Sequence, residues 1–179
     1  AFTDLKTAIS GITGYNCYEI WVAKGEYQED GIIEIPRLVM MYGGFLGTEV
    51  NRDDRDVKVN QCIINGSGSH RCVDNYGYLD GFYITNGKSS GNGGGVMNYS
   101  GTVKSCHIYG NEADSLGGGL YNHSLGLVTS CRIYSNYAPF YAGGIYNEAE
   151  GVIEDGVVYD NIADRQGGGI FNEIGRAHV

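Results

Sequence analysis

The sequence is poor in the residues that staple or interrupt other folds. Its 179 residues include 2 prolines and 1 tryptophan, and its 5 cysteines contain no C-x-x-C pair. An odd cysteine count without paired spacing excludes a disulfide framework and a zinc site as organising devices, so no metal or cofactor is expected. Scarce proline argues against a disordered Pro/Gly tract, even though glycine supplies 30 residues, well above the usual ~7%. No apolar run approaches the ~20 residues of a membrane-spanning helix, and the start carries no signal-peptide pattern. Basic residues are also in deficit: 12 Lys and Arg against 21 Asp and Glu give a formal charge of -9. With no basic stripe, such a chain repels a phosphate backbone, so nucleic acid and an anionic membrane surface are not expected partners.

What the sequence has is repetition. "GGGVMN" at 93–98 returns as "GGGLYN" at 117–122, "AGGIYN" at 142–147 and "GGGIFN" at 167–172. Asn98, Asn122, Asn147 and Asn172 therefore recur at steps of 24, 25 and 25, and a second motif ending at Asn111, Asn136 and Asn161 keeps pace at 25 and 25. A fixed period of 20–50 residues signals a repeat architecture. Within each copy apolar residues alternate with polar ones, as in Cys106 and Ile108 around His107, or Cys131 and Ile133 around Arg132. Period-two alternation in short segments broken by Gly and Asn predicts strands with one buried face.

Each strand then pairs with its copy one coil later, about 4.8 Å away. The predicted fold is an all-β, right-handed parallel β-helix of about six coils near 25 residues each. Gly143 and Gly144 are expected to turn the chain at positive φ and to let adjacent coils approach where a Cβ would obstruct them, and the repeated asparagines to occupy corners by tolerating the left-handed region while stacking their amides. An earlier coil is expected at 71–85, with Cys72, Leu79, Phe82 and Ile84 each 24 residues ahead of Val96, Val103, Cys106 and Ile108. "FTDLKTAISGI" at 2–12 is the one helical stretch, with Thr3 as cap and Phe2, Leu5, Ile9 and Ile12 on one side, a helix suited to closing the first coil. Cys106 and Cys131 fall at one repeat position and are expected as free buried thiols.

One domain is expected over residues 1–172. "IGRAHV" at 174–179 breaks the repeat and matches one translated frame of a common sequencing-library adapter. Residues 173–179 are therefore expected to be a non-native tail, and the chain an excerpt.

"EIWVAKGEY", "MYGGFLGTEVNRDDRD", "CIINGSG" and "LDGFYITNG", in that order, resemble the N-terminal coils of bacterial secreted right-handed parallel β-helix proteins of the pectin-lyase-like class. The "GG-aliphatic" and "I-x-x-N" motifs are similar to the repeats of polymorphic outer-membrane adhesins of the autotransporter type, which carry Phe where this chain has Ile108, Ile133 and Val158. The resemblance covers roughly residues 2–172. It implies an extracellular or outer-membrane location and a polysaccharide or cell-surface glycoprotein as partner.

A β-helix enzyme acting on an acidic sugar needs carboxylates on neighbouring coils, and one repeat column alone places two there, Glu148 and Glu173 beside His123. Lys104, Thr129 and Glu154 are mixed; Gly110, Ser135 and Asp160 hold one carboxylate; Asp114, Pro139 and Asp164 hold two, a coil apart. His123, Glu148 and Glu173 follow Tyr99 in one column and are read as a solvated turn. The charged stretch "GTEVNRDDRD" at 47–56 is read as a self-paired surface loop. No catalytic residue is assigned. Tyrosine is the residue in surplus, with 15 copies. Tyr109, Tyr134 and Tyr159 follow inward residues and should point outward, as should Tyr121 and Tyr146, which continue at Phe171. These five tyrosines are the candidate ligand-binding residues, with cross-coil stacking as the competing role. The sequence thus favours a non-catalytic, adhesin-like surface module touching glycan or protein through aromatic ladders. The alternative is a fragment of a polysaccharide lyase or glycoside hydrolase whose active site lies on other coils.

Overall fold

The computed structural model describes residues 4–12, 14, 16–123 and 125–173. Its strands are short and pair in parallel with the copy one coil away, building a β-solenoid of six turns. One six-stranded face runs through Tyr18–Ala23, Val39–Phe45, Tyr78–Asp80, Thr102–Lys104, Leu127–Thr129 and Val152–Glu154. The second contains Gly25–Tyr27, Cys62–Asn65, Phe82–Thr85, His107–Tyr109, Arg132–Tyr134 and Val157–Tyr159. The third contains Ile33–Ile35, Val73–Asn75, Val96–Asn98, Leu120–Asn122, Ile145–Asn147 and Ile170–Asn172. A narrow four-stranded face, starting at Lys88–Ser89, lies between the second and third.

Register follows the repeat. Ile108 pairs with Ile133 and Ile133 with Val158, while Val103 pairs with Val128 and Val128 with Ile153. The inward members form one continuous core with Leu79, Phe82, Cys106 and Cys131. In the preceding coil the expected offset of 24 holds for Leu79 and Ile84 and fails at Cys72: Val96 pairs with Val73, and Asn98 with Asn75, a step of 23. Cys72 lies beside that pair, still in the core.

The asparagines hold coils together by side-chain amides. Asn75 donates to Asn98 at 2.9 Å, Asn98 to Asn122 at 2.8 Å, Asn122 to Asn147 at 2.8 Å and Asn147 to Asn172 at 3.1 Å. The second column, Asn111, Asn136 and Asn161, repeats this at 3.0 Å per rung. None of these asparagines has positive φ, which corrects the expectation that they occupy the left-handed region. That role falls to the corner residues Ser105, Ser130 and Asp155, to Asn86, Gly110, Ser135 and Asp160, and to Gly93, Gly117, Ala142 and Gly167. Gly143 does not turn with positive φ either. It is glycine because a Cβ there would sit 2.2 Å from the Ile162 carbonyl oxygen of the next coil.

The helix runs over Leu5–Ser10 and closes one end of the core with Leu5 and Ala8, while Ile9 and Ile12 pack at its margin. Its cap is Asp4, whose Oδ1 accepts from the Thr7 amide at 2.6 Å; the expected contributions of Thr3 and Phe2 lie outside the described residues. At the other end the last described coil is open. Ile170 is 39% exposed where its partner Ile145 is 1% exposed. The expected tail from 174 onward lies outside the described residues, whereas Glu173 is described.

The 47–56 stretch is not paired only with itself. Arg55 reaches across to Asp80 at 2.8 Å and donates to the Gly43 and Asp80 carbonyls, and Arg52 meets Glu19 at 3.0 Å. Both guanidiniums lie over the Tyr42 ring, 5.1 and 5.2 Å from its centre. Arg52 keeps one partner within the loop, Asp53, at 3.6 Å.

Candidate functional site

Two aromatic columns run along the solenoid, and they are built differently. On the second face, strand alternation buries Ile108 and Ile133 and turns Tyr109, Tyr134 and Tyr159 outward. Their rings stack nearly parallel, with centres 5.1 Å apart at 3° and 5.0 Å apart at 10°. Tyr109 and Tyr134 are half-buried and Tyr159 is 41% exposed. The three hydroxyls make no hydrogen bond among the described residues. Burial raises the Tyr134 phenol above its usual value, with its two tyrosine neighbours adding to the shift.

Beside this column stands a second outward row on the same strands: Tyr83, His107, Arg132 and Val157. Tyr83 and His107 stack at 4.4 Å. Arg132 is exposed, and its guanidinium makes no ion pair or hydrogen bond among the described residues. Burial, then the nearby Arg132 charge, push the His107 imidazole below its usual value, favouring the neutral ring. Sequence reasoning did not include this row in the site. Alternation around Cys131 and Ile133 already placed Arg132 outward, so the signal was present.

The other column, Tyr121, Tyr146 and Phe171, points away from the solenoid core but does not reach open solvent. Tyr121 and Tyr146 are 7% and 8% exposed, which corrects the expectation of a second outward ladder. They join Met97 and Ala142 in a separate apolar cluster, covered by Leu116 and Tyr141 of the adjoining corners. Stacking is similar, 5.0 Å between Tyr121 and Tyr146 and 5.3 Å between Tyr146 and Phe171. Their hydroxyls are committed: Tyr121 donates to Glu148 Oε1 at 2.7 Å and Tyr146 to Glu173 Oε2 at 3.2 Å. Burial first, then these carboxylates, raise both phenols, Tyr146 to about 12.

The same carboxylates explain the column read as a solvated turn. Tyr76 stacks on Tyr99 at 4.5 Å and Tyr99 on His123 at 5.3 Å, and His123 Nδ1 meets Glu148 Oε2 at 2.9 Å. Glu148 therefore joins an imidazole on one coil to a phenol on the same coil, and the column is an ordered cross-coil network. Such a pair fixes the orientation of the imidazole ring, the part of general-base chemistry that geometry alone supplies.

Among the described residues, no group of three or more His, Cys, Asp or Glu side chains is placed to hold a metal ion. No helix is long and apolar enough to cross a membrane. No family model matches the sequence, and no curated protein or solved structure is significantly similar to it.

Proposed function

We propose that this chain is a non-catalytic module of a cell-surface or secreted protein, adhesin-like, that grips a protein partner along its second face. The observation that carries this reading is the Tyr109–Tyr134–Tyr159 column, outward-facing with three hydroxyls that bond to none of the described residues. Mutual stacking occupies the ring faces between neighbours, so the column offers ring edges and hydroxyls at ~5 Å intervals, with the Arg132 guanidinium alongside. A sugar ring needs an open aromatic face to stack on, whereas a protein surface is well matched by a flat array of Tyr and Arg, residues enriched where interfaces bind most tightly.

The test replaces all three tyrosines by serine and compares retention on protein and glycan arrays. Loss of a protein partner with glycan profiles unchanged supports the reading. Loss of a glycan partner instead keeps the column and overturns the partner class. Unchanged retention on both overturns the site. A second reading, coils of a polysaccharide lyase or glycoside hydrolase, draws on the oriented His123–Glu148 pair. It expects the chain to shorten a polysaccharide and the His123→Ala variant to fail to do so.

A further inference from the structure

Two of the five cysteines are neighbours in space. Cys106 and Cys131 hold the same position on adjacent coils, between the first and second faces, and both are buried and free. The pairs on either side fix their register: Lys104 opposite Thr129 before them, His107 opposite Arg132 after them. The Arg132 amide donates to the Cys106 carbonyl at 2.8 Å. Backbones in this relation lie about 4.8 Å apart, within the ~4.4–6.8 Å between Cα atoms that a disulfide spans.

We propose that Cys106 and Cys131 form an inter-coil disulfide when the protein meets a small disulfide oxidant. In-register parallel neighbours hold their Cβ atoms near the strand spacing, roughly 1 Å beyond the ~3.8 Å mean of a disulfide. Closure must draw the two coils together locally. The place permits it, because each cysteine follows a corner serine at positive φ, Ser105 and Ser130, and lies outside the flanking strands.

The remaining thiols are not equivalent. Cys62 is held by the Val22 and Ala23 carbonyls, and Cys72 is raised to about 12 by burial. In the pair, burial raises Cys106 while the adjacent Cys106 favours the thiolate of Cys131, so that once the corner opens locally to admit the oxidant Cys131 is the attacking sulfur. Its thiolate attacks one sulfur of the oxidant R–S–S–R, forming a mixed disulfide and expelling one RS⁻, which takes up a proton. Cys106 then loses its proton and attacks the Cys131 sulfur, closing the Cys106–Cys131 bond and releasing the second RSH. One disulfide is consumed and one is formed.

The experiment uses the reduced full chain carrying Cys17→Ser, which removes the exposed thiol, incubated with oxidised glutathione under native conditions. The expected product has two of its four remaining thiols protected from alkylation in denaturant, a mass lower by two hydrogens and a peptide linking 106 to 131. Its melting temperature rises by about 10 °C, in line with closing a loop of this length. Cys106→Ser and Cys131→Ser variants should each keep three alkylatable thiols or a glutathione adduct, and should not show the rise in melting temperature. Four free thiols after prolonged native incubation, or a link that excludes 106 and 131, would overturn the proposal.

Discussion

The two aromatic columns share a spacing and differ in what surrounds them. Tyr121 and Tyr146 are roofed by Leu116 and Tyr141 and give their hydroxyls to Glu148 and Glu173. Tyr109, Tyr134 and Tyr159 stack just as closely on an open face and give their hydroxyls to no described residue. Stacking at ~5 Å is therefore a property of the solenoid's rise per coil and says nothing by itself about binding. Burial and hydroxyl commitment separate a column that holds the fold from one that is free to meet a partner.

Truncation of the roofed column should give the largest effect. Tyr146→Ala removes a buried ring and leaves a cavity between Tyr121 and Phe171, at a cost of about 3–5 kcal/mol, read as a drop in the urea midpoint. Tyr121→Phe keeps the ring and deletes only the bond to Glu148; a hydrogen bond to a charged acceptor is worth about 1.5–3 kcal/mol, and chemical denaturation should resolve it. On the open face, the triple Tyr109, Tyr134 and Tyr159→Ser variant loses two stacked pairs and should cost about 1–2 kcal/mol. Three substitutions outside thus produce less destabilisation than one truncation produces within.

A pH titration sharpens the contrast without removing a ring. An unperturbed phenol titrates near pH ~10, and the folded state holds Tyr146 up to about 12. A phenol raised on folding stabilises fully below its unfolded value, and that contribution is lost as pH rises through the folded one. Melting temperature should fall between about pH 10 and 12, and the Tyr121→Phe, Tyr146→Phe double variant should fall less steeply over that range. The smallest effect is expected for Tyr134→Phe. Its hydroxyl has no described partner, so stability should shift by no more than about 0.5 kcal/mol.

The repeat was legible because inward positions and amide columns recur at 24 or 25 residues, and a parallel solenoid requires that regularity for its core to stack. Legibility faded where spacing changed. The coil ending at Asn75 is one residue short of the assumed step, which places Val73 opposite Val96 and displaces Cys72. Corner conformation was misassigned for a different reason. Glycine and asparagine are the usual residues at positive φ, but here serine and aspartate also take it, while the glycines clear space for the next coil's carbonyls. The roof over Tyr121 and the reach of Arg55 to Asp80 depend on contacts between separate coils, and alternation within a strand carries no trace of them. Alternation did identify the outward direction of Tyr109 and Tyr134, and it also pointed Arg132 outward beside them.

The most direct test pairs retention with melting for the triple Tyr109, Tyr134 and Tyr159→Ser variant. On protein arrays it should lose the partner that the unchanged chain retains, while melting only about 3–6 °C lower with its β-rich circular dichroism intact. If retention is unchanged and only the melting temperature falls, the open column is coil-to-coil stacking like the roofed one, and the binding account is contradicted.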